Sequence, residues 1–352
     1  MTLPIYLARL LGGRILAALA VLVGILQILD LLEVTTDILD RNLGAGGVAY
    51  YAFLRLPRLV EQAAPLAVLA GSLFAFGKLA GDSAVTAMRS TGVSSYRITL
   101  MALPAAAVLA ALQLLIGMVV APRTDATLSV WWQASTPSAD RKPVDPVTFR
   151  IGNEVVVAIP RDPDGGSLEA VRIYRRDDAG RLIQRTTARA AVFAGDRWRL
   201  IEPRFETLGA DAVAEAGARE MDWTRALTPG DIRTLAMGET TVTPQEAARA
   251  LAGGLSIRPR AFYDTQLQRA WAAPVGCLVM LLLAAPVALA NFRGGGATLL
   301  VQCLAAGLLF LVFDGAFTAL GESGAAPALL AAWAAPAMFA ALGVTALIYL
   351  EG

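Results

Sequence analysis

Residues 270–292 read AWAAPVGCLVMLLLAAPVALANF, a stretch without a single charged side chain. A helix of about 20 such residues, rising 1.5 Å per residue, crosses a hydrocarbon layer roughly 30 Å thick. Uncharged stretches of comparable length occur at residues 98–122, 294–313 and 323–350. These four stretches predict membrane spans, because a buried helix of a soluble domain needs far fewer consecutive apolar residues.

Two shorter apolar runs raise the number of predicted spans to six. Residues 15–29 and 62–77 are borderline alone, but apolar positions extend the first downstream and the second upstream. The first run follows basic residues, as a signal peptide would. The segment after it, Asp30-Leu-Leu-Glu33, contains no small-x-small cleavage site, so we interpret the run as an uncleaved anchor. Three spans then lie on each side of a charged insert.

The chain of 352 residues is apolar and nearly neutral. Hydrophobic residues make up 56% of it, charged residues 17%, and the mean hydropathy is +0.56, which argues against a soluble globular protein. The lack of histidine excludes His-ligated zinc and the Ser-His-Asp and Cys-His nucleophile pairs. A formal net charge of +1 provides no field suited to nucleic acid. We therefore predict a membrane protein that is not an enzyme and holds no cofactor.

One segment has a superficial likeness to a nucleotide-binding loop. In residues 71–78 a Gly-Lys pair follows an earlier glycine, but the spacing is one residue too long, and Leu79 replaces the Ser or Thr that would hold magnesium. If the function needs ATP, a partner must hydrolyse it. Cys277 and Cys303 both fall inside predicted spans, where they are interpreted as packing residues, and no metal site is predicted.

The placement of basic residues predicts the orientation of the spans. The basic residues on one side are Arg9, Arg14, Lys78, Arg89, Arg97 and Arg293, and the acidic residues on the other are Asp30, Glu33, Asp37, Asp40, Asp314 and Glu322. Arg41, Arg55 and Arg58 dilute this contrast without reversing it. Both termini are therefore expected in the cytoplasm and the insert outside it.

The insert, residues 123–262, has the alternation of β-strands. Turn signals at residues 177–180 and 194–196 separate its strands, which favours an antiparallel sandwich or jelly roll over a βαβ domain. The side chains predicted to point inward are Phe149, Ile151, Val156, Ile173, Val192, Trp198 and Leu200. Residues 244–251, with Thr243 as a candidate N-cap, and residues 260–269 are predicted to be helical. The expected division is thus 1–122, 123–262 and 263–352.

Residues 81–95 lie between spans 2 and 3 on the side expected to be cytoplasmic. Asp82 or Ser83 can cap a short helix that Gly92 would end. Val85 and Met88 are three positions apart, so they share a face that could enter a groove on a partner. The alternative is a solvated loop with one helical turn.

A charged stripe follows span 1. Asp30, Glu33, Asp37 and Asp40 are spaced to share one helical face, and Arg55, Arg58 and Glu61 share a face entering span 2. One interpretation is that the two helix ends pair with each other. The other is a charged rim beside a lateral opening, where lipid headgroups or a partner subunit would dock.

The chain resembles the LptF/LptG permeases of the lipopolysaccharide transporter over nearly its whole length. The most specific stretch is residues 65–80, PLAVLAGSLFAFGKLA, running into Ser83, Met88 and Gly92. A second stretch enters span 4 and contains Tyr263, Gln266, Trp271 and Pro274. The acidic segment after span 1 and the tail from residue 313 to 327 incline the resemblance toward LptG.

The resemblance implies a fold, a function and partners. It implies six spans around an extracytoplasmic jelly roll, in an LptF–LptG heterodimer carried by a dimeric cytoplasmic ATPase, LptB. Such permeases extract lipopolysaccharide from the inner membrane and pass its acyl chains through their jelly rolls to LptC. The implied acyl-chain path would run along the seven inward candidates, for which an ordinary filled core is the alternative. The implied ATPase-coupling residues are Ser83, Val85, Met88, Arg89 and Gly92, and the lipid headgroup candidates are Asp30, Glu33, Asp37, Arg41, Arg55 and Arg58.

Two departures from the family pattern stand out. Ala84 occupies the position after the serine where the family's coupling helix usually has glutamate, and acidic residues replace the lysines expected near the outer end of span 1. Two other functions stay open. A lipoprotein-releasing or MacB-like permease usually has four spans with the large domain after the first, and a membrane scaffold without a transport role would have no ATPase partner.

Overall fold

The computed structural model describes residues 3–135, 146–162, 164–177, 179–208, 213–224, 227–236, 242–290 and 296–351. The chain divides into two compact units. One contains Met1–Leu128 together with Asp264–Gly352, and the other contains Ser129–Tyr263. Several parts of the predictions lie outside the described residues, among them residues 136–145 of the insert, Asp178 of a predicted turn, the basic residue Arg293 and residues 294–295 of an uncharged stretch. The first strand begins at Val147.

Ten α-helices occur in the described part of the chain. They are α1 (Leu3–Asp40), α2 (Gly44–Gly81), α3 (Ala84–Ser90), α4 (Ser95–Leu115), α5 (Ala121–Ala134), α6 (Pro229–Ala236), α7 (Pro244–Leu251), α8 (Arg260–Ala290), α9 (Gly296–Glu322) and α10 (Ala328–Glu351). A π-helical turn, Ile116–Val120, joins α4 to α5 without a break.

Six helical segments are long and apolar enough to cross a membrane, which confirms the six predicted spans. They are Ile5–Asp40, Gly44–Gly81, Ser95–Trp132, Arg260–Leu289, Val301–Glu322 and Ala328–Tyr349. The first three are 36 to 38 residues long, whereas about 20 residues cross the hydrocarbon core. The borderline apolar runs are therefore parts of much longer helices: residues 15–29 lie in the middle of α1, and residues 62–77 lie in the C-terminal half of α2.

The α2 helix contributes a large share of the buried residues of the membrane unit. Its inward residues pack with those of α1, α4 and α8 in one apolar cluster. Gly71 permits a close approach of α2 to α1, because a Cβ at this position would lie 2.4 Å from the Cα of Ile15. Any larger residue would have to separate the two helices.

The insert is an antiparallel sheet of nine strands, which confirms the predicted all-β class. The strands are β1 (Val147–Ile151), β2 (Glu154–Pro160), β3 (Ser167–Arg176), β4 (Leu182–Ala194), β5 (Arg197–Ile201), β6 (Arg204–Leu208), β7 (Val213–Gly217), β8 (Glu220–Trp223) and β9 (Leu255–Ser256). Their order is β7-β6-β4-β3-β2-β1-β9, with β5 pairing both β4 and β8. The long β4 forks the sheet, because its first half pairs with β6 and its second half with β5.

The core of the insert contains buried polar groups that are paired with one another. Trp198 donates its indole N–H to the carbonyl of Leu227 at 2.9 Å. Glu154 is 1% exposed, pairs with Arg175 at 3.0 Å and accepts a hydrogen bond from the indole of Trp223 at 3.1 Å. Because these polar groups of the core have partners, their burial is not penalised as that of orphaned groups would be.

One predicted inward side chain is wrong: Val192 is 40% exposed. The register pairs Val192 with Arg199 on the outer face, while the neighbouring Ala191 pairs with Leu200 and is fully buried. In β3 and β4 every second residue faces inward, but this alternation shifts by one residue near Ala170, whose φ of +51° is left-handed. A prediction based on strict alternation cannot detect this shift, so it assigns the wrong face to the residues beyond it.

The expected helix boundaries of the insert are confirmed. Thr243 caps α7 in a capping box, accepting from the backbone N–H of Glu246 at 3.1 Å while its own N–H donates to the Glu246 carboxylate at 2.8 Å. The predicted helix at residues 260–269 is the first part of α8, which continues without interruption into span 4.

Candidate functional site

The segment between spans 2 and 3 forms the short helix α3. Gly92 ends it as predicted, with a φ of +83°. The N–H of Gly92 donates to the carbonyl of Arg89, and the N–H of Val93 to that of Met88, both at 3.0 Å. A left-handed glycine with these bonds satisfies the last carbonyls of a helix. The segment is therefore helical, in agreement with the first of the two interpretations.

The apolar face of α3 points into its own chain rather than outward. Val85 is only 5% exposed and belongs to the apolar cluster of the membrane unit, and Met88 is partly buried against the same cluster. The prediction that Val85 inserts into a groove on a partner is therefore wrong in its direction. Spacing showed that the two residues share a face, but the surface covering that face is the chain's own.

The ends of α3 also differ from expectation. Ser83 has a φ of +57° and makes no capping hydrogen bond through its side chain. Asp82 ends α2 instead, its N–H donating to the carbonyl of Lys78 at 2.8 Å. Arg89 donates from Nε to the hydroxyl of Ser95 at 3.2 Å, which ties α3 to the first turn of α4. Arg89 is thus engaged within the chain.

The outward face of α3 is small and polar. Thr86, Ala87 and Ser90 are exposed on it, as is Arg89, and Tyr96 on α4 is 59% exposed. Sequence reasoning did not single out Thr86, Ala87 or Ser90, because none of them is a large apolar residue at helical spacing.

The charged stripe after span 1 meets the beginning of α2. Arg55 donates from Nε to Asp30 at 3.2 Å, with side chains 32% and 15% exposed, and Tyr51 lies beside the same carboxylate. Arg58 pairs with Glu61 at 3.1 Å on its own helix. The interpretation in which the two helices pair is confirmed for Asp30 and Arg55. The remaining headgroup candidates Glu33 and Asp37 are exposed, as is Asp40, and Arg41 lies at the α1–α2 turn.

A polar contact that the sequence did not reveal joins three spans. Pro65 has no N–H, so the carbonyl of Glu61 loses its partner within α2. The side-chain amide of Gln113 on α4 donates to that carbonyl at 3.2 Å, and the amide oxygen accepts from the thiol of Cys277 on α8 at 3.1 Å. The only sequence signal was an amide in an otherwise apolar span.

The π-helical turn lies against the same point of α2. A Cβ at Gly117, within this turn, would lie 2.8 Å from a carboxylate oxygen of Glu61. Glycine therefore lets the widened turn pass close to the Glu61 side chain. π-Turns inside α-helices are frequent at functional sites. This one lies opposite the part of α2 where Pro65 removes one backbone hydrogen bond.

Charged and amide side chains also join the last three spans. Arg269 on α8 pairs with Asp314 on α9 at 3.2 Å, and the amide of Gln266 donates to Glu322 at 2.6 Å. The indole of Trp333 on α10 donates to Gln268 at 3.4 Å. Ionisable residues inside spans are costly unless they are paired, and here each of these charges has a partner on the next helix.

Comparison with known proteins gives the chain its family. The profile described as "Lipopolysaccharide export system permease LptF/LptG" matches residues 5–349, which include all six spans and the insert. The chain belongs to the LptF/LptG permease family. The lipopolysaccharide export system permease protein LptG of Haemophilus influenzae is 23% identical over 244 residues, which cover 69% of this chain and 68% of that protein. Members of the family are the non-catalytic, multi-pass permease components of an ABC transporter in the inner membrane.

The interior of the permease's insert is filled by large apolar side chains. Phe149, Val156, Trp198 and Leu200 are at most 1% exposed. Ile151 and Ile173 are 8% and 5% exposed and belong to the same cluster. Six of the seven inward candidates therefore lie together in one core.

No metal-binding group occurs among the residues that the structure describes: no three of their cysteine, aspartate and glutamate side chains gather at one point. The two cysteines of the permease are buried in the spans and form no disulfide. The candidate surfaces of the permease are α3, the α1–α2 charged pairs and the insert.

Proposed function

We propose that this permease extracts lipopolysaccharide from the outer leaflet of the inner membrane and passes it through the insert toward the outer membrane. The observation that carries the proposal is the family match over residues 5–349, which spans both the helices and the inserted sheet. A lipoprotein-releasing or MacB-like permease would have its large domain after the first span. This chain has three spans before it.

The proposed assembly contains a second permease and an ATPase. The similarity to a protein named LptG supports an LptG-type role, with an LptF-type permease as the second half. A dimeric ATPase of the LptB type would bind the exposed face of α3, formed by Thr86, Ala87 and Ser90. LptC would receive the lipid from the insert. A scaffold without a transport role would lack the ATPase, so co-purification with it separates these functions.

The proposed orientation has both termini in the cytoplasm and the insert in the periplasm. The support is the position of basic residues at one set of span ends, including Arg9, Arg14 and Lys78. In this orientation α3 faces the cytoplasm, where an ATPase can reach it, and residues 123–262 form the exporting part between two membrane parts, 1–122 and 263–352.

The proposed lipid contacts begin at the α1–α2 charged pairs. Arg55 and Arg58 are held by Asp30 and Glu61, so binding a lipid phosphate there requires an exchange of partners. Arg41 lies separately, at the α1–α2 turn. Acyl chains would then enter the insert among the buried candidates such as Ile173. Because that interior is packed, entry requires the sheet to open, which makes lipid passage dependent on the ATPase cycle.

Photo-crosslinking tests this function. The permease is reconstituted with its partner permease and ATPase in lipopolysaccharide-containing proteoliposomes, with a photo-reactive residue at Ile173, which is 5% exposed. The matched control carries the same residue at Val192, which is 40% exposed on the outer face. We expect lipopolysaccharide capture at Ile173 to depend on ATP and to exceed that at Val192. Capture that ignores ATP, or equal capture at both positions, would contradict passage through the interior.

A further inference from the structure

A basic pocket of about 390 Å³ lies within the insert, between the β1–β2 hairpin and the segment that leads into α8. Backbone contacts hold its two walls together. Arg150 of β1 pairs with Ser256 of β9, and the N–H of Gly152 donates to the carbonyl of Gly253 at 3.1 Å. The pocket is therefore framed by sheet hydrogen bonds rather than by side chains alone.

The side of the pocket formed by residues 257–263 is fixed by a buried phenol. The hydroxyl oxygen of Tyr263, which is 5% exposed, accepts from the N–H of Ile257 at 2.9 Å and from the N–H of Arg258 at 3.3 Å. The guanidinium of Arg258 lies 5.5 Å from the ring centroid of Phe262. Stacking of this kind restricts the orientation of an arginine that lines a binding site.

All charged side chains that line the pocket are arginines. They are Arg150, Arg258 and Arg260, accompanied by the polar side chains of Asn153, Ser256 and Thr148. Among the described lining residues none has a carboxylate. The Nε of Arg150 donates to the carbonyl of Gly152 at 3.0 Å, and this backbone contact orients the guanidinium without neutralising its charge.

We propose that this pocket binds a phosphate group. Guanidinium groups bind phosphate oxygens through paired, charge-assisted hydrogen bonds, so a lining that contains three arginines favours an anion of this kind. The first turn of α8 lines the same pocket, and the positive end of its helix dipole adds to the attraction for an anion. The phosphate can belong to a lipid headgroup or be free in solution. In its lipid-headgroup form the proposal rests on the proposed function, because lipopolysaccharide is then the ligand.

The test uses the full-length permease in detergent with a photo-reactive residue at Thr148, which is exposed and lines the pocket. The probes are lipopolysaccharide, the same lipopolysaccharide with its phosphates removed, and inorganic pyrophosphate as a competitor. The main variant combines Arg150→Ala with Arg258→Ala. A second variant, Arg258→Lys, keeps the positive charge but lacks the paired N–H donors of a guanidinium. Arg172→Ala is the matched control, because Arg172 is an exposed arginine of β3 outside the pocket.

We expect the double variant to reduce capture of phosphorylated lipopolysaccharide by about tenfold or more, since two charge-assisted contacts are lost. Arg258→Lys should give an intermediate loss, and Arg172→Ala should match the unmodified protein. Competition by millimolar pyrophosphate would identify a free phosphate as an occupant, whereas capture that resists it would identify the lipid headgroup; either supports a phosphate site.

Equal capture of the dephosphorylated lipid would overturn the proposal, and so would a double variant that behaves like Arg172→Ala. Displacement by an acidic peptide but not by pyrophosphate would also overturn it, because the pocket would then bind protein. If the double variant elutes as aggregate, Arg258→Lys and Arg260→Ala replace it, and their capture of phosphorylated lipopolysaccharide is compared with that of Arg172→Ala in the same way. If ATP-dependent capture at Ile173 persists while capture at Thr148 shows none of the expected differences, the phosphate site is refuted and the export function is not.

Discussion

Val85 offers the sharpest test of how α3 is attached to the permease. Its side chain is 5% exposed and lies in the apolar cluster that α2, α4 and α8 share. Ala87, two positions later, is exposed on the opposite side of the same short helix. Aspartate at Val85 and at Ala87 therefore places the same new charge in two different surroundings.

The expected costs differ by several kcal/mol. Shortening Val85 to alanine removes two methyl groups, which corresponds to about 1.6 kcal/mol of lost transfer free energy before any cavity is counted. Aspartate at this position would bury an unpaired carboxylate at a cost of several kcal/mol, unless α3 detaches from the cluster. At Ala87 the carboxylate stays in water, and the change in stability should stay within about 0.5 kcal/mol.

The assay combines thermal unfolding of the purified permease with co-purification of the ATPase. We expect Val85→Asp to lower the Tm or abolish the folded, monodisperse protein, and Val85→Ala to lower the Tm less. Ala87→Asp should unfold at nearly the wild-type temperature yet lose the ATPase. A Val85→Asp permease with wild-type stability would refute our placement of this side chain in the chain's own core.

Three further predictions follow from individual contacts. Gln113→Leu should destabilise the permease by about 1 kcal/mol in thermal unfolding, because the carbonyl of Glu61 loses its donor. Adding Pro65→Ala should recover part of this loss by restoring an N–H within α2, and no recovery would contradict the explanation. Arg55→Ala and Asp30→Asn should show a coupling free energy of roughly 1 kcal/mol in a double-mutant cycle, and additive effects would mean that the pair observed at 3.2 Å contributes no stability. A cysteine replacing the exposed Ala179 should react with a membrane-impermeant maleimide in intact spheroplasts, while the native cysteines, at most 1% exposed, stay unlabelled; labelling only after lysis would reverse the proposed orientation.

The sequence by itself determined the elements whose cause is local. An uncharged run such as residues 270–292 is expected to be helical in a membrane, because a helix satisfies all the backbone hydrogen bonds of a single segment without a partner strand. The capping box at Thr243 and the left-handed Gly92 are likewise decided by a few adjacent residues. For this reason the six spans, the antiparallel insert and several helix ends could be predicted without a structure.

Only the tertiary structure decided which surface each side chain meets. Spacing placed Val85 and Met88 on one face, but the identity of the surface covering that face depends on how α3 packs against distant helices. Val192 was misplaced because the backbone at Ala170 on a neighbouring strand changes the parity of the sheet. The contact between Gln113 and Glu61 joins residues 52 positions apart, and no periodicity reports a hydrogen bond over that separation. Local patterns specify elements, whereas sites form where packing brings separate elements together.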